Sequence, residues 1–472
     1  MALPSEIADR MSRVLQDLRR ETPFPGQQEP GRALADRMAQ CATPGVSIAV
    51  VHDCEAIWAR GFGTRAAGTR QNVSPGTPFQ SGSISKAVFA LGVMRMVERG
   101  QLDLDADVNA YLTSWQVPAN AGWQPRITLR QLLSHTAGTT VHGFPGYPAG
   151  GPRPPLPNIL AGEPPTNTPP VVVDLVPGTQ FRYSGGGTII AQQAVADVTG
   201  TPLPALMREL VLDPVGMADS TFEQPLPAAM AARAAIGHPW NGRAVPGGWH
   251  VYPEMAAAGL WTTAGDLARL GVEVMRTLRG NPSPLGLGRG TIEQMLRPQL
   301  PGQSVGKDFC GLGWFCSGEG DAFWFGHGGH NEGFIADMKF LPALSAGAVV
   351  MINSVQGWPL PDELLKAIGR EFDWLAAHAP PNAVAMRVEK DYSGLYRSET
   401  GIAFQVAQTA DGLVLQFDRQ PPIPLAPASD VKFSATALDL CVTFERKDAA
   451  APVTMTIIQN GGTMTLSRAA RQ

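Results

Sequence analysis

The most informative part of the sequence is Ser83-Ile84-Ser85-Lys86, which opens an almost wholly apolar run from Ala87 to Val97. Residues three apart lie on one face of a helix, so the Ser83 and Lys86 Cβ atoms should be roughly 5–6 Å apart. A lysine in that setting loses hydration, and its pKa should fall toward a value at which the neutral amine accepts the serine proton. The spacing therefore predicts a serine nucleophile with a built-in base. An N-cap serine with a lysine that reaches the surface would produce the same spacing.

Composition limits the classes of function. The chain has 472 residues, which suits two or three domains, and 44% of them are hydrophobic. Its net charge is -4 and its 37 basic residues form no run or stripe, so neither nucleic acid nor a membrane is expected as a partner. The charged N-terminal helix (about 1–20) lacks the apolar core of a secretory leader, and no stretch reaches the about 18 apolar residues of a membrane span.

The five cysteines are few, odd in number and scattered along the chain. That usage indicates a reducing compartment, so we expect a cytoplasmic protein without a disulfide framework. Cys310 and Cys316 could be neighbours across a strand pair, but a metal site would need two further clustered ligands. The sequence predicts neither a metal nor another cofactor.

Strands are predicted at both ends of residues 30–378, with helices between them. The predicted strands are 46–52, 56–61, 322–327, 333–341 and 346–352, and the predicted helices are 83–99, 127–134, 187–198, 203–210, 264–278 and 360–376. This order predicts one α/β unit in which distant parts of the chain share a sheet. A helical insertion forms a second lobe, and the two lobes should meet in a cleft.

Two segments differ in composition from that unit. The proline-rich stretch 145–177 should not form regular helix or sheet and is too long for an ordinary connection, so we interpret it as a lip over a binding cleft. Residues 379–389 are predicted to be a linker. Beyond it, residues 390–472 contain short segments of alternating hydrophobicity separated by turn residues, which predicts a small antiparallel barrel or sandwich.

Two further motifs convert the isolated Ser-x-x-Lys into an ordered pattern. They are Phe181-Arg182-Tyr183-Ser184-Gly185-Gly186-Gly187 and Gly326-His327-Gly328-Gly329-His330-Asn331-Glu332-Gly333-Phe334. Together the three motifs resemble those of the serine β-lactamase and penicillin-binding-protein superfamily, especially its class C-like branch of DD-peptidases, D-aminopeptidases and family VIII esterases. Residues 131–138, 213–217 and 258–267 match as well.

The resemblance covers about residues 30–378 and implies an α/β (α+β) fold. An antiparallel sheet flanked by helices would be joined to a helical lobe, with a β-lactamase-like domain over residues 1–378. The C-terminal residues 390–472 resemble the lipocalin-like barrels that follow this domain in some D-aminopeptidases and related hydrolases.

The resemblance also implies a role for each motif residue. Ser83 would be the nucleophile that forms an acyl-enzyme, and Lys86 the base that deprotonates it. Tyr183 would share that proton and return it to the leaving group, because a phenol beside an ammonium can ionise in part. His327 would occupy the first position of the family's Lys-Thr-Gly strand motif. The backbone N–H groups of Ser83 and His330 would form the oxyanion hole.

Three glycines are predicted to contact the substrate. Gly328 and Gly329 would let a substrate backbone approach an edge strand closely. Gly185 stands where the family's Tyr-x-Asn motif has an asparagine, so the amide that holds the substrate is missing. With His327 also replacing lysine, efficient β-lactam hydrolysis is not expected, because histidine binds a carboxylate less firmly.

Simpler interpretations exist for several of these residues. Tyr183 could be a core tyrosine, and His135 is expected to be a structural hydrogen-bonding residue. Metal ligation by His327 and His330 is disfavoured because their odd spacing on a strand directs them to opposite faces. Glu332 could be catalytic, but an exposed carboxylate at a strand end is the simpler expectation.

The sequence thus predicts a serine hydrolase that cleaves a small amide, peptide or ester through a covalent acyl-enzyme, with peptides and amides slightly favoured. A carboxylesterase, an acyltransferase and a weak β-lactamase of the same fold are alternatives, as is a non-catalytic binding protein. The expected partner is a small-molecule substrate, and homo-oligomer formation is left open.

Overall fold

A computed structural model describes residues 5–19, 30–300, 308–374, 392–398, 401–409, 412–417, 422–427, 429–435, 440–445, 453–459 and 462–469. The chain divides into two compact units, one comprising residues 1–16 and 33–377 and the other residues 17–32 and 378–472. The predicted linker at 379–389 lies outside the described residues, so the predicted domain boundaries stay predictions.

The strands are β1 Gly45–His52, β2 Glu55–Gly63, β3 Phe79–Gln80, β4 Tyr147–Pro148, β5 His250–Val251, β6 Trp261–Thr262, β7 Phe309–Cys310, β8 Phe315–Ser317, β9 Trp324–Asn331, β10 Phe334–Leu341, β11 Ala346–Ile352, β12 Gly394–Arg397, β13 Ala403–Thr409, β14 Gly412–Phe417, β15 Ile423–Pro427, β16 Lys432–Ala435, β17 Leu440–Glu445, β18 Thr454–Gln459 and β19 Gly462–Arg468.

The helices are α1 Ser5–Gln16, α2 Leu34–Gln40, α3 Ile84–Glu98, α4 Leu129–Leu133, α5 Leu156–Ala161, α6 Gly185–Thr199, α7 Leu203–Met207, α8 Asp213–Val215, α9 Ala228–Ala231, α10 Met255–Ala258, α11 Ala264–Leu278, α12 Arg289–Met295 and α13 Leu360–Glu371. Short 3-10 turns occupy Val108–Ala110 and Gly320–Ala322, and a π-helical turn occupies Arg208–Leu212. None of the described helices is long and apolar enough to cross a membrane.

The first unit is built on a seven-stranded antiparallel sheet in the order β2-β1-β11-β10-β9-β8-β7. Strands from the two ends of the unit meet at its centre, where Val46 pairs with Ile352. The predicted shared sheet and its flanking helices are therefore confirmed. Strand β9 was predicted to end at His327 but continues to Asn331. Its glycine-rich half pairs with β10, where His330 faces Ile335.

Helix α3 lies in the core of the first unit. It is apolar on all sides, and its residues from Ile84 to Met94 are buried. A helix of that composition is stable only when other elements surround it. Gly100 follows the helix with φ +69°, the left-handed conformation that commonly closes a helix. Lys86 is the one charged side chain among the buried residues of α3.

The proline-rich stretch 145–177 differs from the prediction because it contains a regular helix, α5. Pro155 is the N-cap of that helix and Pro157 lies in its first turn, where a proline removes no helical hydrogen bond. Gly162 ends the helix with φ +70°. Tyr147 and Pro148, near the start of the stretch, pair with β5. Proline content alone is therefore no evidence against helix when the prolines lie at its start.

The second unit contains a closed antiparallel barrel of eight strands, β12 to β19. Strand β12 pairs with both β13 and β19, which closes the sheet on itself. Alternate residues such as Leu413 and Leu415 fill its interior. The predicted antiparallel barrel is confirmed. Strand β15 contains Pro424 and Pro427, which make its alternation hard to recognise in the sequence.

Candidate active site

Ser83 lies at the N-terminal end of α3, and its side chain does not cap the helix. The residue is the N-cap but has helical backbone angles (φ -65°, ψ -10°), and its side chain makes no capping hydrogen bond. The serine hydroxyl instead contacts Lys86, with Nζ 2.9 Å from Oγ. The alternative of a simple capping serine is therefore wrong.

Lys86 is buried, with 4% of its surface exposed. Its Nζ also donates to the carbonyl oxygen of Ala257 in α10 at 2.8 Å. Burial lowers the pKa of Lys86 to about 7, the direction that the sequence predicted. A lysine that reaches the surface is thereby excluded, and a substantial fraction of the amine is neutral near neutral pH. Sequence reasoning missed Ala257, although residues 258–267 were recognised as a matching stretch.

Tyr183 precedes α6 and meets the other two residues. Its hydroxyl is hydrogen-bonded to the Ser83 side chain, and Lys86 Nζ lies 5.0 Å from the centre of its ring. The ring is held between His135 and Phe315, whose centroids lie at 4.3 Å and 6.1 Å. Burial raises the pKa of Tyr183 more than the bond to Ser83 lowers it. The phenol therefore keeps its proton, which differs from the expected partial ionisation.

His135 fixes the turn that carries Tyr183. Its Nδ1 accepts a hydrogen bond from the Ser184 N–H at 3.2 Å, and burial lowers the pKa of His135 well below its usual value. The imidazole is therefore neutral, with its other nitrogen carrying the proton. Ser184 in turn caps α6 by accepting from the Gly187 N–H at 2.9 Å. The prediction of a structural role for His135 is confirmed.

His327 is buried in β9, and it is not among the residues that line the cavity described below. Its Nδ1 lies 2.5 Å from the Gly328 carbonyl oxygen and must carry the proton of that bond. Burial lowers the pKa of His327 to about 3, so the ring is neutral. Its Nε2 has no hydrogen-bond partner among the described residues. His330, three residues on, is exposed on the opposite face, as the strand spacing predicted.

The end of β9 approaches the start of α3 so closely that only glycine fits. A Cβ on Gly329 would collide with the Ser81 carbonyl oxygen, and one on Gly82 would lie 2.5 Å from the His330 backbone nitrogen. The Ser83 and His330 backbone amides, the two predicted oxyanion donors, are thus on adjacent pieces of backbone. Gly328 differs, because a Cβ there would meet its nearest atom only at 3.9 Å.

Gly185 is the first residue of α6, and the ring of Phe144 occupies the space that a side chain at this position would need. A Cβ there would lie 2.9 Å from Phe144 Cε2 and 3.2 Å from the His142 carbonyl oxygen. Phe144 thus fills the space into which a side chain at position 185 would extend. The absent amide at this position is therefore accompanied by an apolar wall.

A cavity of about 320 Å³ opens over Ser83, Lys86 and Tyr183. It is also lined by His142, Gly143, Phe144, Pro145, Tyr252, Ala257, Ala258, His330, Asn331 and Glu332. Of the proline-rich stretch 145–177, only Pro145 belongs to this lining. The prediction that the whole stretch forms a lip over the cleft therefore holds only for its first residue. Strand β8 pairs with β9 only as far as Gly326, so among the described residues no strand pairs with that side of residues 327–331.

Comparison with known proteins agrees with this architecture. Residues 31–368 match the family described as Beta-lactamase, so the chain belongs to the β-lactamase family of serine hydrolases. The unguisins hydrolase ungD of Aspergillus violaceofuscus is 24% identical over 71% of this chain and 62% of its own length. The chain thus spans less than two thirds of that relative. Esterase EstB of Burkholderia gladioli is 28% identical over 54% of this chain and 69% of its own length.

One solved structure is similar to this protein over most of the chain. The octameric penicillin-binding protein homologue from Pyrococcus abyssi superposes with a TM-score of 0.59 at 22% identity. The superposition covers 92% of this chain and 98% of the Pyrococcus chain. At that identity the match supports the fold.

Proposed function

We propose that this protein is a serine hydrolase that cleaves a small amide, peptide or ester through a covalent acyl-enzyme on Ser83. The observation that carries the proposal is the buried Lys86 amine, 2.9 Å from Ser83 Oγ and with its pKa lowered to about 7. A neutral amine at that distance is a general base in hydrogen-bond reach of the proton it must remove.

In acylation, Lys86 takes the Ser83 proton as Oγ bonds to the substrate carbonyl carbon. The resulting oxyanion lies against the backbone N–H groups of Ser83 and His330. When the bond to the leaving group breaks, Tyr183 donates its phenolic proton to that group and recovers one from Lys86. Water then attacks the acyl carbon and its proton passes to Lys86. As the bond to Oγ breaks and the acid leaves, Lys86 returns that proton to Ser83 Oγ, which restores both residues.

The relatives support hydrolysis, and one of them supports an ester substrate. One is a hydrolase of unguisins and another is an esterase. Peptides and amides remain our first choice, because the appended barrel resembles that of the D-aminopeptidases. Homo-oligomer formation is part of the proposal and draws support from the octameric Pyrococcus homologue. A cytoplasmic location is supported by the five cysteines, none of which forms a disulfide.

The test is covalent labelling followed by intact-protein mass. A fluorophosphonate should add one label to the wild type and none to Ser83→Ala, and Ser83→Ala should lose about 10³-fold or more in p-nitrophenyl acetate hydrolysis. Ser74→Ala, at an exposed serine outside the cavity, is the control and should label like the wild type. A labelled Ser83→Ala would refute the nucleophile assignment, and an unlabelled wild type would indicate a non-catalytic binding protein.

A further inference from the structure

Glu332 and Asn331, which line the cavity, carry side-chain acceptors for which the described residues supply no donor to Asn331 Oδ1 and no ion pair to Glu332. Glu332 follows β9 directly and lines the cavity, and its backbone N–H donates to the Tyr252 hydroxyl at 3.0 Å. That bond fixes the position of the residue. Within the described part of the chain, no lysine or arginine forms an ion pair with the Glu332 carboxylate.

The adjacent Asn331 adds a second acceptor. Its amide nitrogen donates to Gln80 Oε1 and to the Ala258 carbonyl oxygen, both at 3.0 Å. These bonds fix the orientation of the amide. The side chain is 4% exposed, yet its Oδ1 has no hydrogen-bond partner among the described residues. A buried acceptor without a donor is costly, and a ligand that brings N–H groups would satisfy it.

No other described residue of the cavity wall supplies a positive charge for Glu332. Among the described residues that line the cavity, Lys86 is the only lysine or arginine, and it is already bound to Ser83 and Ala257. His330 is two residues before Glu332, but partial desolvation lowers its pKa by more than the Glu332 carboxylate raises it. The cavity therefore presents one uncompensated carboxylate near the reacting serine.

We propose that Glu332 binds a protonated amine on the acyl part of the substrate, and that Asn331, which lines the same cavity, offers a further acceptor. The inference rests on the proposed function and names its substrate class: aminoacyl amides or esters with a free amine. An ammonium group has donors and no acceptor, which matches a cavity lined by these acceptors. Tyr252 and Phe144 line the same cavity, and aromatic rings also attract cations.

The position of Glu332 favours an amine close to the scissile carbonyl. His330, whose N–H is the proposed oxyanion donor, is two residues before Glu332. An α-amine is the nearest amine to the carbonyl carbon that is not itself the leaving group. An acyl group that ends in a carboxylate would instead place a second negative charge close to Glu332, and the two carboxylates would repel each other.

The experiment compares acyl groups of equal size and different charge. Alanyl and isobutyryl p-nitroanilides and p-nitrophenyl esters differ in one group, an ammonium in place of a methyl, and both enantiomers of the alanyl compounds are used. Near pH 7 the α-amine is mostly protonated, since its pKa is about 7.7–8.0. We expect the wild type to prefer one alanyl enantiomer over isobutyryl by roughly tenfold or more in kcat/KM.

The variants then locate the source of that preference. Glu332→Gln should bring the alanyl to isobutyryl ratio close to one, and Glu332→Lys should shift the preference toward a succinyl group. Glu319→Gln removes an exposed carboxylate of the same unit that does not line the cavity, and it should keep the wild-type ratio. The inference is overturned if the wild type has no preference, if Glu332→Gln keeps it, or if Glu332→Gln slows both acyl groups equally.

Fluorophosphonate labelling of the same samples separates this inference from the proposed function. If Ser83 is not labelled in the wild type, the hydrolase itself is refuted. If Ser83 is labelled and isobutyryl compounds are cleaved without any advantage for the amine, only the amine site is refuted.

Discussion

Lys86 shows how packing and chemistry depend on one residue. Its amine lies in a helix that is otherwise apolar, where burial favours the neutral form and lowers the pKa to about 7. In the unfolded chain the amine would have its ordinary pKa of about 10.4. The unfolded state therefore binds more protons between these two values, so this residue makes the fold more stable as the pH rises through that range.

The same shift predicts the pH dependence of the reaction. Only the neutral amine accepts the Ser83 proton, so kcat/KM should fall about tenfold per pH unit below about pH 7 and level off above it. Stopped assays at pH values on both sides of 7 measure this profile. An uncharged ester is used as the substrate, because its charge does not change with pH. A profile that is flat down to pH 5.5 would contradict the assignment of Lys86 as the base.

A control is needed because the pKa of a carboxyl group outside the cavity also lies near 7. Burial raises the pKa of Asp337 in β10 to about 7. Asp337 does not line the cavity, so Asp337→Asn should keep the inflection of the wild type. An inflection that disappeared with Asp337 would assign it to the carboxylate.

The motif residues were predictable from the sequence, but their surroundings were not. Ser83 and Lys86 are three apart on one helix, so local geometry alone predicts their contact. The Ala257 carbonyl that receives Lys86 and the Phe144 ring beside Gly185 lie on other elements. Their positions depend on long-range packing that no local pattern encodes.

Among the elements, α2 and α13 are joined by a buried ion pair. Arg37 donates to Glu363 through Nε at 2.8 Å and through a terminal nitrogen at 2.5 Å, and both side chains are at most 5% exposed. The two helices belong to opposite ends of the first unit, so the pair connects the beginning of its chain to the end. Removing one partner would leave the other charge buried.

Arg37→Met should therefore destabilise the first unit by about 3 kcal/mol or more. Urea unfolding followed by tryptophan fluorescence measures this, because all ten tryptophans lie in that unit. Arg289→Met is the control, since the exposed Arg289–Glu293 pair in α12 should contribute below about 0.5 kcal/mol. Equal losses in the two variants would argue against a special role for the buried pair. Adding Glu363→Leu to Arg37→Met should recover much of the loss.

The elements themselves were predicted unequally well. Helix α11 has the predicted limits, because its apolar face repeats regularly and Thr263 caps it by accepting from the Asp266 N–H. Strand β9 extends four residues past its predicted end, since its glycines look like a turn in isolation. They are required by the approach of α3, which is visible only in three dimensions.

In the molecule as a whole, alternation of apolar residues was sufficient to predict a small antiparallel barrel or sandwich in the second unit, and the resemblance to lipocalin-like domains selected the barrel that the structure shows. The candidate site is different, because it belongs to no single segment. Ser83 comes from the start of α3, Tyr183 from the turn before α6, Ala257 from α10 and His330 from β9. Only the complete core of the first unit brings these four together.

Ser83 should consequently lose its reactivity only when that core unfolds. We expect fluorophosphonate labelling of Ser83 in increasing urea to decrease over the same transition as the tryptophan fluorescence. Cys310 is the internal control, because it is buried with 2% exposure and should become open to alkylation over the same range. If labelling is lost while the tryptophans and Cys310 still report a folded core, then the site opens by itself. In that case its geometry would be maintained by the loops around His142 and Tyr183, and the packing of α3 would not be sufficient to hold the nucleophile and its base together.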